Sequence, residues 1–137
     1  MANAPESQLF IVNPNDCTLE AVGDGLGVEL GNRGLTCNQA NGELYAFGSS
    51  EDKLYIINKS SGLASEVGPL GVDILGGVGI EFDPINPRKL YGSMDQDDDE
   101  IFELYEINPD TGNGIYICDL PHASANLGAR VVIQKKR

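Results

Sequence analysis

The sequence predicts an all-β chain, and three observations carry that expectation. Seventeen glycines and seven prolines are spread along 137 residues, and together with Asn, Asp and Ser they leave apolar segments of only about four to six residues, too short for ordinary helices. Those segments are rich in Leu, Ile, Val, Tyr and Phe, as in Leu54-Tyr55-Ile56-Ile57, the composition of a pleated, buried surface. Clusters of Asn, Pro, Asp, Ser and Gly follow them and suit tight turns. With 41% apolar and 22% charged residues, the chain has the composition of one globular domain.

The elements recur. Leu9-Phe10-Ile11-Val12-Asn13, Leu54-Tyr55-Ile56-Ile57-Asn58 and Leu104-Tyr105-Glu106-Ile107-Asn108 are one word written three times, at spacings of 45 and 50, each followed by a turn cluster. The match runs on without a gap to Val22, Val67 and Ile117. A second word, Gly34-Leu35-Thr36-Cys37, matches Gly79-Ile80-Glu81-Phe82, and a third, Leu44-Tyr45-Ala46, matches Leu90-Tyr91-Gly92. In chain order this predicts two strands (9–12 and 19–22) and then four (35–37, 44–47, 54–57, 64–67). Four more follow (80–82, 90–92, 102–107, 114–118), with an eleventh near 131–133. Four short strands in about 40 to 50 residues are the mark of a β-propeller blade. The organisation read from this is an arm (1–8), a half blade (9–31), two blades (32–70 and 71–121), a final strand (122–133) and a basic tail (134–137). In the words beginning at Leu9 and Leu54 both faces are apolar, which predicts strands sandwiched between neighbouring sheets.

Leu104-Tyr105-Glu106-Ile107-Asn108-Pro109-Asp110-Thr111-Gly112 resembles the L-Y-x-I-x-P-x-T-G repeat of bacterial β-propeller domains of unknown function, with looser similarity to kelch and lactonase-type propellers. The resemblance runs from Leu9 to about Ile133. It implies blade architecture and names no ligand. Glu106 departs from the apolar residues at Ile11 and Ile56, which puts the packing of its strand in question.

Eleven strands are fewer than the sixteen or so of the smallest closed propeller. An open arc would expose apolar faces and unpaired edges. The expectation is therefore about three blades in a partial propeller, completed by a second copy in a dimer or by the rest of a longer protein. The N-terminal strand pair and the C-terminal strand would share a blade. A small β-sandwich or barrel built from successive hairpins is the alternative.

Charge narrows the partners. Twenty-one acidic against nine basic residues give a net charge of −12, which opposes phosphate backbones and anionic membranes and favours cations. No apolar run reaches the roughly eighteen residues of a spanning helix. Met1 to Gln8 has neither the basic start nor the apolar stretch of a secretory leader. A soluble protein is expected, with its compartment open. Cys17, Cys37 and Cys118 are three, with no C-x-x-C spacing, so unpaired structural thiols are expected in preference to zinc ligands.

Charge is densest at Asp95-Gln96-Asp97-Asp98-Asp99-Glu100, in a hairpin four residues longer than its counterpart. Asp95, Asp97 and Asp99 have the one-three-five spacing of a calcium loop, and Glu106 stands at the twelfth place. Calcium is the candidate ligand. Glu100 occupies the sixth place, where an EF-hand has glycine, and strands flank the loop where helices would stand, so a solvated acidic hairpin is the competing reading.

Other candidates are weaker. His122, four residues after Cys118, lacks a visible orienting group or oxyanion donor. Asn58-Lys59-Ser60 is a formal glycosylation triplet in a turn. The glycines at 23, 25, 27, 76, 77 and 79 read as turns between blades, because no helix follows to present amides to a phosphate. Tyr45, Tyr55, Tyr91, Tyr105 and Tyr116 sit in strand words and read as packing, with a sugar platform as the sharper option. No catalytic constellation appears, so a non-enzymatic recognition or scaffolding module with a protein or glycan ligand is the leading expectation. A metal-dependent, lactonase- or lyase-like enzyme using Asp24, Asp73 and Asp83, and a lectin-like glycan binder, are its rivals.

Overall fold

The computed structural model describes residues 7–121, which form ten strands and no helix. In chain order they are β1 (Leu9–Val12), β2 (Leu19–Val22), β3 (Arg33–Cys37), β4 (Leu44–Gly48), β5 (Lys53–Ile57), β6 (Ala64–Pro69), β7 (Gly76–Phe82), β8 (Leu90–Asp95), β9 (Glu103–Ile107) and β10 (Gly114–Asp119). All pairing is antiparallel between chain neighbours, giving a two-stranded sheet β1-β2 and two four-stranded sheets, β3-β4-β5-β6 and β7-β8-β9-β10. Among the described residues no sheet closes on itself, and β3 lies beside β7. The expected strand near 131–133, His122 and the basic tail lie outside the described residues.

Four hairpins are closed by one device. Asn13, Asn38, Asn58 and Asn108 each accept at the backbone oxygen from the N–H four residues on, at 2.7–2.8 Å, and donate to the carbonyl five residues on. Each side-chain Oδ1 also accepts the N–H two residues on, at 2.8–2.9 Å. The fifth residue must turn left-handed, and it is Gly42 (φ 72°), Gly62 (φ 75°) and Gly112 (φ 84°) in three cases. In the fourth it is Cys17, at φ 60°, where a Cβ costs roughly 1–2 kcal/mol. Part of that is offset because glycine gives the unfolded chain more freedom. Cys17→Gly is therefore expected to raise stability by about 0.5 kcal/mol in urea denaturation; a loss of stability would contradict this account of the turn.

Matching bonds hold the segment that follows each sheet to that sheet, and those of Ala64 and Gly114 hold it to the next sheet. Leu26 donates its N–H to the Ser7 carbonyl (2.8 Å), Leu70 to that of Asp52 (2.9 Å) and Leu120 to that of Phe102 (2.7 Å). Ala64 donates to Leu26 O and Gly114 to Leu70 O, both at 2.9 Å. Leu30 N–H reaches Ser7 Oγ at 3.0 Å, and Ile74 N–H reaches Asp52 Oδ1 at 2.9 Å. The β5-β6 turn presses on the end of β2, and the β9-β10 turn presses on β6. A Cβ on Gly23 would lie 1.9 Å from Ser61 O, and one on Gly68 would lie 2.1 Å from Thr111 O.

The middle sheet is covered on both faces. Tyr45, Phe47 and Leu54 pack against Ile80, Phe82, Leu90, Met94, Tyr105 and Ile107 of the third sheet, sealed by Leu70 and Ile74 from the connection between them. On the other face Ala46, Tyr55 and Ile57 meet Leu26 and Leu30, with Leu9 at the margin. Tyr45 and Phe82 stand edge to face, their centroids 5.1 Å apart.

Three sequence expectations are corrected. Gly76, Gly77 and Gly79 do not form a turn: they belong to β7, which pairs with β8 through a bulge between Gly76 and Val78. β3 approaches β7 so closely that a Cβ on Gly34 would stand 2.8 Å from Ile80 Cγ2. β1 is not sandwiched. Phe10, Ile11 and Val12 are 47–58% exposed, because among the described residues β1 pairs with β2 alone, whereas β5 and β9 each have a strand on both sides. Glu106 does not disturb its strand: it sits half-buried in a regular ladder opposite Tyr91, with Lys89 Nζ 3.8 Å from its carboxylate.

Candidate acidic hairpin site

The acidic hairpin joins β8 to β9, at the opposite end of the sheets from the β7-β8 and β9-β10 turns. Asp95 ends β8 and is buried, while Asp97 and Asp99 are exposed. Burial of Asp95 is explained by its partners. Its Oδ1 accepts the N–H groups of Asp97 (3.3 Å) and Asp98 (2.8 Å), and its Oδ2 accepts that of Glu100 (3.3 Å). Asp99 Oδ1 in turn accepts Ile101 N–H at 2.8 Å. Asp98 and Glu100 take φ of 58° and 65°, so the sixth place of the loop is left-handed without glycine.

This folding brings one carboxylate oxygen from each of Asp95, Asp97 and Asp99 to within 4.8 Å of one another, the one such group of His, Cys, Asp or Glu found among the described residues. Desolvation raises the Asp97 pKa, helped by its hydrogen bond to Asp99 and the charges of Asp99 and Asp95. Three oxygens so placed suit a hard cation that completes its shell with carbonyls and water. Glu106, the expected twelfth-place ligand, points elsewhere, to Lys89.

Beneath the hairpin lies a residue the sequence reading passed over. Glu103, opposite Met94 in the ladder, is 4% exposed and accepts Gln96 N–H at 3.2 Å. Gln96 Oε1 also accepts a short hydrogen bond from the Tyr105 hydroxyl. Burial pushes the Glu103 pKa up, and the negative charges of Asp97 and Asp95 add to the rise. Because the folded value lies above the unfolded one, the stability linked to Glu103 is present below pH 4.5 and is lost as pH rises through the folded pKa. Gln keeps an acceptor for Gln96 N–H and carries no charge. In metal-free buffer Glu103→Gln is expected to be more stable than wild type at pH 7 and equal to it at pH 4; a less stable variant at pH 7 would show that the carboxylate is needed.

The remaining candidates stay apart. Asp83 caps its own turn, accepting Ile85 N–H (2.8 Å) and Asn86 N–H (3.2 Å), and these bonds lower its pKa. It does not join Asp24 or Asp73 in a cluster. Asn58 spends its oxygen on Ser60 and Ser61 N–H groups. Cys17, Cys37 and Cys118 are free thiols. Tyr45, Tyr55 and Tyr105 are buried, and Tyr116 is exposed and donates to Asp119 at 2.7 Å. No described helix is long and apolar enough to cross a membrane. No family model matches the chain, and no curated protein or solved structure does either.

Proposed function

We propose that the chain is a β-propeller-type module, a recognition or scaffolding surface in place of an enzyme, completed by a second copy of itself. One observation carries the reading: the bonds joining the first sheet to the second recur between the second and the third, yet the first has only two strands among the described residues. Its β1 exposes Phe10, Ile11 and Val12 and has an edge that no described strand pairs with, an apolar surface of the kind that pairs with another chain. Two such chains would give a six-bladed ring with twofold symmetry. Phe10→Asp and Val12→Asp place charges on exposed positions, so they are expected to abolish the dimer while leaving a folded monomer. Unchanged mass in both variants would place the interface elsewhere; a wild-type monomer would remove it, and leave completion by a longer chain.

The geometry of Asp95, Asp97 and Asp99 favours a second, compatible reading in which calcium orders the β8-β9 hairpin. Millimolar calcium is then expected to raise the melting temperature by several degrees, since saturation at about 100 times Kd is worth roughly 2.7 kcal/mol. Asp97→Asn with Asp99→Asn should remove that rise and leave the metal-free melting temperature unchanged or higher, because both side chains are exposed and the charges of Asp99 and Asp95 oppose that of Asp97, adding to the rise in its pKa that desolvation begins. No calcium-dependent shift in the wild type would end this reading.

A further inference from the structure

At the other end of the sheets from the acidic hairpin, the β3-β4, β7-β8 and β9-β10 turns enclose a cleft of about 630 Å³, within the range of small-molecule sites. Its walls are set before any ligand arrives. Asn38 Nδ2 donates to the Pro87 carbonyl at 3.2 Å, fastening one turn to the next, and Asn108 Oδ1 holds the third turn through Asp110 and Thr111 N–H groups.

Three polar groups on these walls have bonding capacity to spare. Of the five described cations, Arg33, Lys53 and Lys89 form ion pairs. Arg88 lines the cleft, and its guanidinium has no hydrogen bond or ion pair among the described residues, in a chain of net charge −12. The Asp110 carboxylate, whose charge acts on Tyr45, likewise has no hydrogen bond or ion pair among the described residues, and the Asn108 amide nitrogen remains a donor once its oxygen is committed. Apolar surface lies alongside, from Pro109 and the 62% exposed Ile115.

The balance of these groups selects the ligand. One lining cation faces two carboxylates, Asp110 and Glu106, the latter 3.8 Å from Lys89 Nζ, so in a chain of net charge −12 a phosphate or carboxylate ligand gains no net attraction. No exposed aromatic face lines the cleft to stack a nucleobase, since Tyr45 is buried against Phe82. A sugar ring offers what the walls lack: neighbouring hydroxyls that donate to a carboxylate and accept from a guanidinium and an amide, and a C–H face for Pro109 and Ile115.

We propose that this cleft binds a neutral saccharide, with adjacent hydroxyls spanning Arg88 and Asp110. The site stands apart from the assembly reading and from the acidic hairpin. It is tested by ¹⁵N-¹H NMR of the full chain titrated to about 50 mM, well above millimolar affinity, with glucose, galactose, mannose, N-acetylglucosamine, maltose and cellobiose. Saturable shifts of the Asn41, Arg88 and Asp110 amides with at least one sugar are expected. Arg88→Ala and Asp110→Ala, both at exposed positions, should weaken binding by roughly tenfold or more. The proposal is overturned if no sugar gives saturable shifts there, if both variants bind as wild type does, or if glucuronate and glucose 6-phosphate bind as well as the neutral sugars. The readout follows individual amides, so it fails or succeeds independently of whether the protein dimerises.

Discussion

Replacing Gly68 with alanine is expected to destabilise the fold by about 3 kcal/mol, a large effect for one methyl group. The new Cβ would stand 2.1 Å from Thr111 O and 3.2 Å from Thr111 C, both backbone atoms. Neither partner can yield cheaply. Thr111 belongs to a turn pinned by Asn108, and Gly112 beside it is so close to Gly68 that its own Cβ would lie 2.4 Å from Gly68 O. Relief would require the second and third sheets to part, exposing the cluster between them. Gly76→Ala is the matched control: its nearest neighbour is the Asp95 side chain at 3.4 Å, ordinary contact, and its φ is not positive. Urea denaturation of both variants checks the contrast. If Gly68→Ala costs no more than Gly76→Ala, the turn does not press on β6 as described.

Phe47→Ala is expected to cost about 3–5 kcal/mol. Phe47 is fully buried on the face of the middle sheet that meets the third. Its ring fits because the opposing position is glycine: a Cβ on Gly92 would lie 3.2 Å from Phe47 Cζ. The pairing of a large with an absent side chain leaves no neighbour able to fill the space that truncation creates. Leu35, on a neighbouring strand but 52% exposed, is the comparison, and Leu35→Ala should cost under about 1 kcal/mol. Equal losses at the two positions would mean the core does not lie between these sheets.

Much of the backbone was legible because local signals agreed. The Leu-Tyr-x-Ile words are strand formers on either face, and the Asn that ends each one closes a hairpin with its own side chain, so strand, turn and register are written together. The expected ranges 9–12 and 19–22 are those of β1 and β2. Local signals failed where a distant element decided the outcome. Gly76 and Gly79 look like turn residues, yet the pairing of β7 with β8 places them in a strand. The fourth Asn turn, at Asn38, was passed over because Leu35-Thr36-Cys37 lacks the full word, although Asn-x-x-x-Gly was present. In the acidic hairpin, spacing alone singled out Asp95, Asp97 and Asp99. That Asp95 organises the turn, and that Glu103 is buried under it, depends on the β8-β9 register. The cleft at the other end of the sheets was out of reach of sequence spacing, since Asn38, Arg88 and Asp110 meet only after three turns have been placed side by side.

The most direct measurement is the solution mass of the purified chain, by light scattering behind a sizing column, at two concentrations and with and without calcium. A dimer of about twice 14.6 kDa at both concentrations is the expected result. A well-folded monomer throughout would contradict completion by a second copy.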